Sequence, residues 1–428
     1  MEMTKYKLGD IATIYDGPHA TPKRTDNGPV YLGIDAITED CKINPNEFTF
    51  LSEDDYKIWT KRVVPQFKDI VFSYEATLGR YAIIPENFYG CLGRRLGIIR
   101  VKSDAVDYKW LYYFFQSPQW KCYIKNHIIK GSTVNRISVD EMPGYEIPAC
   151  GIADQKKIAS VLSALDDKIA LNKKMNQKLE AMAKRLYDYW FVQYDFPDKN
   201  GHPYKTTGGP MTYNPTLKRE IPVGWEVKRL GDLFETNRGV SYSTPTLGAE
   251  GDGVPMINLA SFSPNESYNE KGIKYYKGDY TDEKVLKPFD FVMCNTQQTA
   301  IDPQKDIIGR SMLVPDIFDG DIVSSHHVNT IKLEKENLKF YLNRLFNTKF
   351  YHAYISKFAN GTNILGLIFS GVEDYMCEIP SDDLLEKFAK ISLDIEKKKS
   401  KIIKENQKLT ALRDKLLPLL MNGQVMIG

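Results

Sequence analysis

The chain repeats itself at an offset of 230 residues. Asn176-Gln177-Lys178-Leu179 returns as Asn406-Gln407-Lys408-Leu409, and the same separation relates Gly79-Arg80 to Gly309-Arg310, Lys109 to Lys339 and Gly131 to Gly361. Gly79 to Pro85 aligns with Gly309 to Pro315 without a gap, whereas nearer the start Leu8-Gly9-Asp10 faces Leu230-Gly231-Asp232 at an offset of 222. A repeat of this length is a whole domain plus its trailing helix, well beyond the roughly 20 to 50 residues of solenoid repeats. It predicts two similar binding events, on one ligand or a pair of partners, related by an approximate two-fold axis.

Between the copies the pattern changes. From Ile152 to Asp195 there is no Pro or Gly, and Ile158, Val161, Leu165, Lys168, Asn172, Met175, Leu179, Met182, Leu186 and Tyr189 alternate three and four apart. That spacing is a heptad seam on one long helix. The repeat carries it to Phe388, Ile391, Ile395, Lys398, Ile402, Glu405, Leu409, Leu412, Leu416 and Leu419. Ile158, Val161, Leu165, Leu179 and Leu186 are therefore expected to mate with Phe388, Ile391, Ile395, Leu409 and Leu416. Antiparallel pairing is favoured, because parallel packing would crowd both globular copies at one end. Lys168, Lys398 and Asn172 read as polar interruptions that set register. Roughly 32 residues per helix correspond to about 48 Å.

Pro148 and Pro380 close the last strand of each copy by forcing their predecessors into extended geometry. Asp154 and Ser381 or Asp382 are natural helix caps. The expected organisation is a first domain over 1–150, a helix over 151–196, a turn-rich connector over 197–220, a second domain over 221–380 and a final helix over 381–428. The fold class is α+β: two similar mixed domains separated by two long helices in an antiparallel coiled coil.

At 428 residues and 42% hydrophobic content the chain can bury two ordinary cores. Met1 to Lys5 shows no basic leader with an apolar stretch, and no run approaches the roughly 18 apolar residues of a membrane span, so a cytoplasmic protein with no membrane partner is expected. The six cysteines lack a Cys-x-x-Cys pair, which points to reduced thiols and no metal site. Net charge is only +2, but Gly79 to Arg136 holds ten basic residues against three acids, interleaved with aromatics, while residues 1–78 hold nine against thirteen. One basic face suited to a polyanion is implied; a solvated helix surface is the plainer alternative.

No phosphate-binding loop, His-Glu-x-x-His or base-flipping Asn/Asp-Pro-Pro-Tyr/Phe motif is present, and the glycines of Gly90 to Gly97 lack a dinucleotide fingerprint. Three scattered nuclease carboxylates would be hidden among 55 acids. Nothing in the sequence requires catalysis. A self-contained DNA-modifying or DNA-cleaving enzyme and a two-module protein-binding adaptor remain the competing readings.

Asp16 to Lys23 followed by Gly28-Pro29-Val30-Tyr31-Leu32, then Glu75 to Arg80, Gln155 to Ala159 and Leu416 to Gly423, in this order on a duplicated frame, resemble the specificity (S) subunits of type I restriction-modification systems. The resemblance covers nearly the whole chain. It implies two target recognition domains, each reading one half of a split, asymmetric site in double-stranded DNA. The helices would be a ruler and a docking surface for two methyltransferase subunits, with restriction subunits completing the complex. The chain would be non-catalytic and hold no cofactor; S-adenosylmethionine, ATP and Mg²⁺ would belong to the partners.

The second copy inserts Asn295 to Lys305 where the first runs directly through Glu75 to Arg80. A shared frame with different loops suits two different half-sites. Gln and Asn can bind adenine bidentately and Arg guanine. The candidate DNA contacts are Lys23, Arg24, Thr77, Arg80, Arg94, Arg95, Lys130, Ser132, Thr133 and Arg136 in the first copy. In the second they are Asn295, Gln297, Gln298, Thr299, Arg310, His326, His327, Thr362 and Asn363. For each single residue a phosphate contact or a hydrogen bond within its loop is a plainer account than base readout.

Overall fold

A computed structural model of the chain describes residues 3–131, 134–263, 268–298 and 306–427, without the side chain of Gln298. It divides into two units, Met1–Ala170 with Lys408–Gly428, and Leu171–Gln407. Each long helix begins in one unit and ends in the other.

The first unit is built on an antiparallel sheet ordered Ala12–Asp16, Leu96–Val101, Ile70–Ser73, Tyr81–Ile83. Ile70, Val71, Phe72, Ile98 and Ile99 are all buried, so both faces of the central strands are covered, as their β-branched and aromatic content favours. A second sheet pairs Arg24–Leu32 antiparallel with Thr49–Leu51 and parallel with Gly90–Leu92. Thr4–Lys7 pairs antiparallel with Glu146–Ala149, bringing the two ends of the domain together. Helices Tyr108–Phe114 and Pro118–Lys125 start where Asp107 and Ser117 accept the Trp110 and Trp120 amides at 3.0 and 3.2 Å. They carry Trp110, Phe114, Phe115 and Trp120 into the core, and the Trp120 indole is satisfied by the Tyr81 hydroxyl at 2.7 Å.

The second unit repeats this plan with additional strands. Its main sheet runs Phe234–Arg238, Val328–Leu333, Phe291–Cys294, Ser311–Leu313, and Val254–Ile257 makes the parallel pairing with Val323–Ser324. Glu226–Arg229 pairs with Met376–Ile379, and helices Leu338–Phe346 and Lys349–Ile355 complete it. The stretch expected as a plain connector carries a hairpin, Met211–Asn214 against Arg219–Pro222.

The first long helix spans 36 residues, Ile152–Tyr187, continued by a π-helical turn at Asp188–Val192; the second spans 40, Asp382–Met421. At 1.5 Å per residue these are about 54 and about 60 Å, longer than the spacing argument suggested. Asp154 lies in the first turn of its helix and is not its cap. Pairing is antiparallel: in the first unit Asp166 meets Arg413 at 2.9 Å, and in the second Asn172 meets Asn406 at 2.9 Å and Glu180 meets Lys399 at 2.6 Å.

The seam itself differs from expectation at every second rung. Ile158, Phe388 and Ile395 are buried and Val161, Leu165, Leu179, Leu186, Leu409 and Leu416 half-buried, but Ile391 is 39% exposed and Lys168, Met175, Met182, Lys398 and Leu412 also face outward. Burial falls one residue later, on Leu162, Ile169, Ala183, Trp190, Ser392, Lys399 and Leu420. The cause is polar. Asp166, Glu180, Glu396, Lys399 and Arg413 pair with one another or with the adjoining domain, so they occupy the inner stripe that a search for apolar residues assigns to their neighbours.

Each unit contains one such charged knot, and the two knots are related by the repeat, since Asp166 corresponds to Glu396. Asp166 accepts from Lys42 at 2.6 Å, the Tyr113 hydroxyl at 2.8 Å and Arg413. Burial works to raise its pKa, but Lys42, Arg413 and Tyr113 outweigh it and the group is held below the usual carboxylate range. In the second unit Arg344, from helix Leu338–Phe346, bridges Glu180 and Glu396, and Lys399 contacts both carboxylates. Desolvation likewise opposes ionisation of Glu180, yet Arg344 and Lys399 hold its pKa down to about 2.

Candidate nucleic-acid interface

In the first unit three chain segments meet at one end of the main sheet. The Tyr74 amide donates to the Arg95 carbonyl at 3.2 Å, the Ile137 amide donates to the Tyr74 carbonyl at 2.8 Å, and Glu75 bridges to Arg136. Ala76, Gly79 and Arg95 take positive φ of 66°, 78° and 72°, which turns the chain sharply at the junction. Arg95 forms an ion pair with Glu75 at 3.0 Å. Arg94 is exposed, and its amide donates to the Tyr31 hydroxyl at 3.0 Å.

Lys130 and Arg136 are exposed on the hairpin formed by Ile128–Ile129 and Arg136–Ile137. Gly131 lets that hairpin close, because a Cβ there would sit 2.2 Å from the Val134 carbonyl; at Gly361 it would sit 2.1 Å from that of Ile364. Thr77 is half-buried, and its carbonyl accepts from Ser73. Arg80 turns inward, donating to the Ile37 carbonyl at 2.9 Å. Lys23 and Arg24 are exposed but open the long strand of the other sheet. Ser132, Thr133 and Thr299 lie outside the described residues, as does the side chain of Gln298.

The second unit builds the same junction from different side chains. The Asn295 amide donates to the His327 carbonyl at 2.9 Å, the Leu367 amide donates to the Asn295 carbonyl at 2.8 Å, and Thr296 pairs with Gly366. Tyr74, Glu75, Arg95 and Ile137 thus have Asn295, Thr296, His327 and Leu367 as their counterparts. Where Arg95 holds Glu75, His327 Nδ1 is hydrogen-bonded to Thr296 Oγ1 at 2.8 Å. His326 packs against His327 in a tilted arrangement with ring centroids 3.9 Å apart. Burial, then His326, Arg238 and Lys274, push the His327 pKa down to about 4, so its ring is neutral at pH 7.

Gln297 and Asn295 are corrected by this geometry. Gln297 is 4% exposed and its Oε1 accepts the Ile307 and Ile308 amides at 2.8 and 3.1 Å. Asn295 is 7% exposed and donates to Asn329 Oδ1 at 2.7 Å. The Gln297 amide oxygen is thus taken up within the chain, whereas Asn295 is held through its Nδ2. Arg310 also turns in, to the Asp306 carbonyl at 2.9 Å, whereas Thr362 and Asn363 are exposed at the hairpin tip. Gln297→Ala should leave the Ile307 amide without its acceptor, while the Ile308 amide keeps Asp306 Oδ1 at 2.9 Å, and cost about 1–3 kcal/mol, read as a lowered unfolding midpoint in urea.

The roles of Glu75 and Thr296 as tethers have no signal in the sequence, because each depends on a partner distant along the chain. Among the described residues no group of three or more His, Cys, Asp or Glu is placed to hold a metal ion, and no helix is long and apolar enough to cross a membrane.

Residues 1–181 match the type I restriction modification DNA specificity domain. The chain is similar to type I specificity subunits. It is 28% identical to the type I restriction enzyme MjaIX specificity subunit of Methanocaldococcus jannaschii, with 76% of this chain and 71% of that one covered. It is 23% identical to the HindI specificity subunit of Haemophilus influenzae, with 81% and 84% covered. The solved S subunit from M. genitalium shares the fold at a TM-score of 0.54 and 15% identity, over 98% of this chain and 96% of that one.

Proposed function

We propose that each unit reads one half of a split, asymmetric site in double-stranded DNA, and that the chain scaffolds two methyltransferase subunits and the restriction subunits that join them. S-adenosylmethionine, ATP and Mg²⁺ then act in those partners. The observation that carries this reading is the pair of junctions: one backbone frame presenting Arg94, Arg95 and Arg136 in the first unit, and His326, His327 and Asn363 in the second. Same frame and different side chains is what two unlike half-sites demand. Exposed Arg94, Lys130 and Arg136 supply the cations that hold phosphates.

Arg94→Glu combined with Arg136→Glu should weaken binding to every DNA sequence and reduce the slope of log affinity against log salt by roughly one unit per lost phosphate contact. A salt titration that superimposes on the wild type would overturn this reading. For the methyltransferase subunits, the outward-facing Leu171, Met175 and Met182 of the first helix are 53%, 44% and 51% exposed, and Leu412 of the second is 45% exposed. Apolar side chains left in water on one helix face suit a partner surface. Met175→Lys with Met182→Lys should retain the melting temperature and lose methyltransferase binding by at least about tenfold, since each fully buried Met contributes about 1.5–3 kcal/mol. Unaltered co-purification would argue against this face.

A further inference from the structure

We infer that His327, oriented by Thr296, determines the identity of one base pair in the half-site read by the second unit. The inference rests on the proposed half-site reading and goes beyond it by assigning a residue and a mode of contact. His327 occupies the backbone position that Arg95 holds in the first unit, and Thr296, the counterpart of Glu75, tethers it. The tether differs in kind. Glu75 grips a guanidinium through charge, whereas the Thr296 hydroxyl fixes an imidazole through Nδ1 at 2.8 Å.

Fixing Nδ1 leaves Nε2 to make one hydrogen bond of defined direction, and the tautomer that Thr296 selects decides whether that bond donates or accepts. The ring is also held in its plane. His326 packs 3.9 Å away, Tyr242 lies 6.1 Å from the His327 ring, and Arg238 Nε fixes the His326 carbonyl at 3.0 Å. Neutrality of the ring fits base reading better than phosphate holding, because a neutral imidazole gains little from a phosphate. Among the described residues Asn295 Oδ1 and His326 Nδ1, both buried beside the pair, have no hydrogen-bond partner. The ligand class is the major-groove edge of a single base pair, contacted by one hydrogen bond where an arginine would make two.

The test is methylation sequencing of cells carrying the complete system with wild-type chain, His327→Ala, Thr296→Val, Thr296→Ser or His327→Arg. Expected for His327→Ala and Thr296→Val is a motif degenerate at one position of one half only, with discrimination there reduced about 5- to 150-fold and the other half and the spacer intact. Thr296→Ser should restore the wild-type motif, which a purely structural role of the threonine methyl would not allow. His327→Arg should shift that position toward a G·C pair. An unchanged motif in the His327 variants, or uniformly weaker methylation with the motif intact as a phosphate contact would give, overturns the assignment. A wild-type motif that is not split into two halves would instead overturn the half-site reading itself.

Discussion

Replacing Arg344 with Met should cost the second unit about 3–5 kcal/mol, because it leaves Glu180 and Glu396 buried together with Lys399 as their remaining cation. For a unit of this size that is a fall in melting temperature of roughly 10 °C, taking about 2–4 °C per kcal/mol. The transition belonging to the first unit should not move, since its knot of Asp166, Lys42 and Arg413 is built from other residues. The pH dependence carries the same signature. The folded pKa of Glu180 is depressed to about 2, so its contribution is fully present above the unfolded value near 4.5 and is lost as pH falls from there toward 2. Calorimetry of the full chain at pH 7 and at pH 3.5 reads both effects; an Arg344→Met chain that melts like the wild type at pH 7 would show that the knot contributes nothing to stability.

Such knots explain what could and could not be read in the sequence. The duplicated frame was legible because the repeat preserves glycines and apolar positions whose reasons are local, such as Gly131 and Gly361 closing equivalent hairpins. The long helices were legible because nothing between Ile152 and Asp195 breaks them. The phase of the seam was not. Scanning for apolar residues favours Val161, Met182, Ile391 and Leu412, whereas the chain buries Leu162, Ala183, Ser392 and half-buries Arg413. Whether a lysine or arginine is paid for by a distant carboxylate is a long-range fact. Gln297 failed for the same reason: its amide type suits a base edge, but the Ile307 and Ile308 amides ten residues away claim it first. Applying the 230-residue offset to Asp166 does reach Glu396, so one signal of the paired knots was present and unused.

Lengthening both helices together should change the spacing of the DNA site without changing the bases read. The place to do so is the boundary between the units, after Ala170 in the first helix and after Gln407 in the second. Seven residues inserted at each point preserve the heptad phase and keep Asp166 opposite Arg413 and Glu180 opposite Lys399, because every pair lies wholly within one unit. The added length is about 10 Å, or about three base pairs at 3.4 Å each. Both junctions are untouched, so both half-sites should persist, with a preferred spacer longer by about one to three base pairs, the range set by the ease of bending and twisting the intervening DNA. Insertion into one helix alone should behave differently. It shifts the second helix against the first by two turns, forces the charged knots apart and should abolish methylation. Methylation sequencing distinguishes these outcomes directly. Recovery of the original spacer with new half-site bases from the doubly lengthened chain would mean that the helices do not set the distance and that the junctions are not where the bases are read.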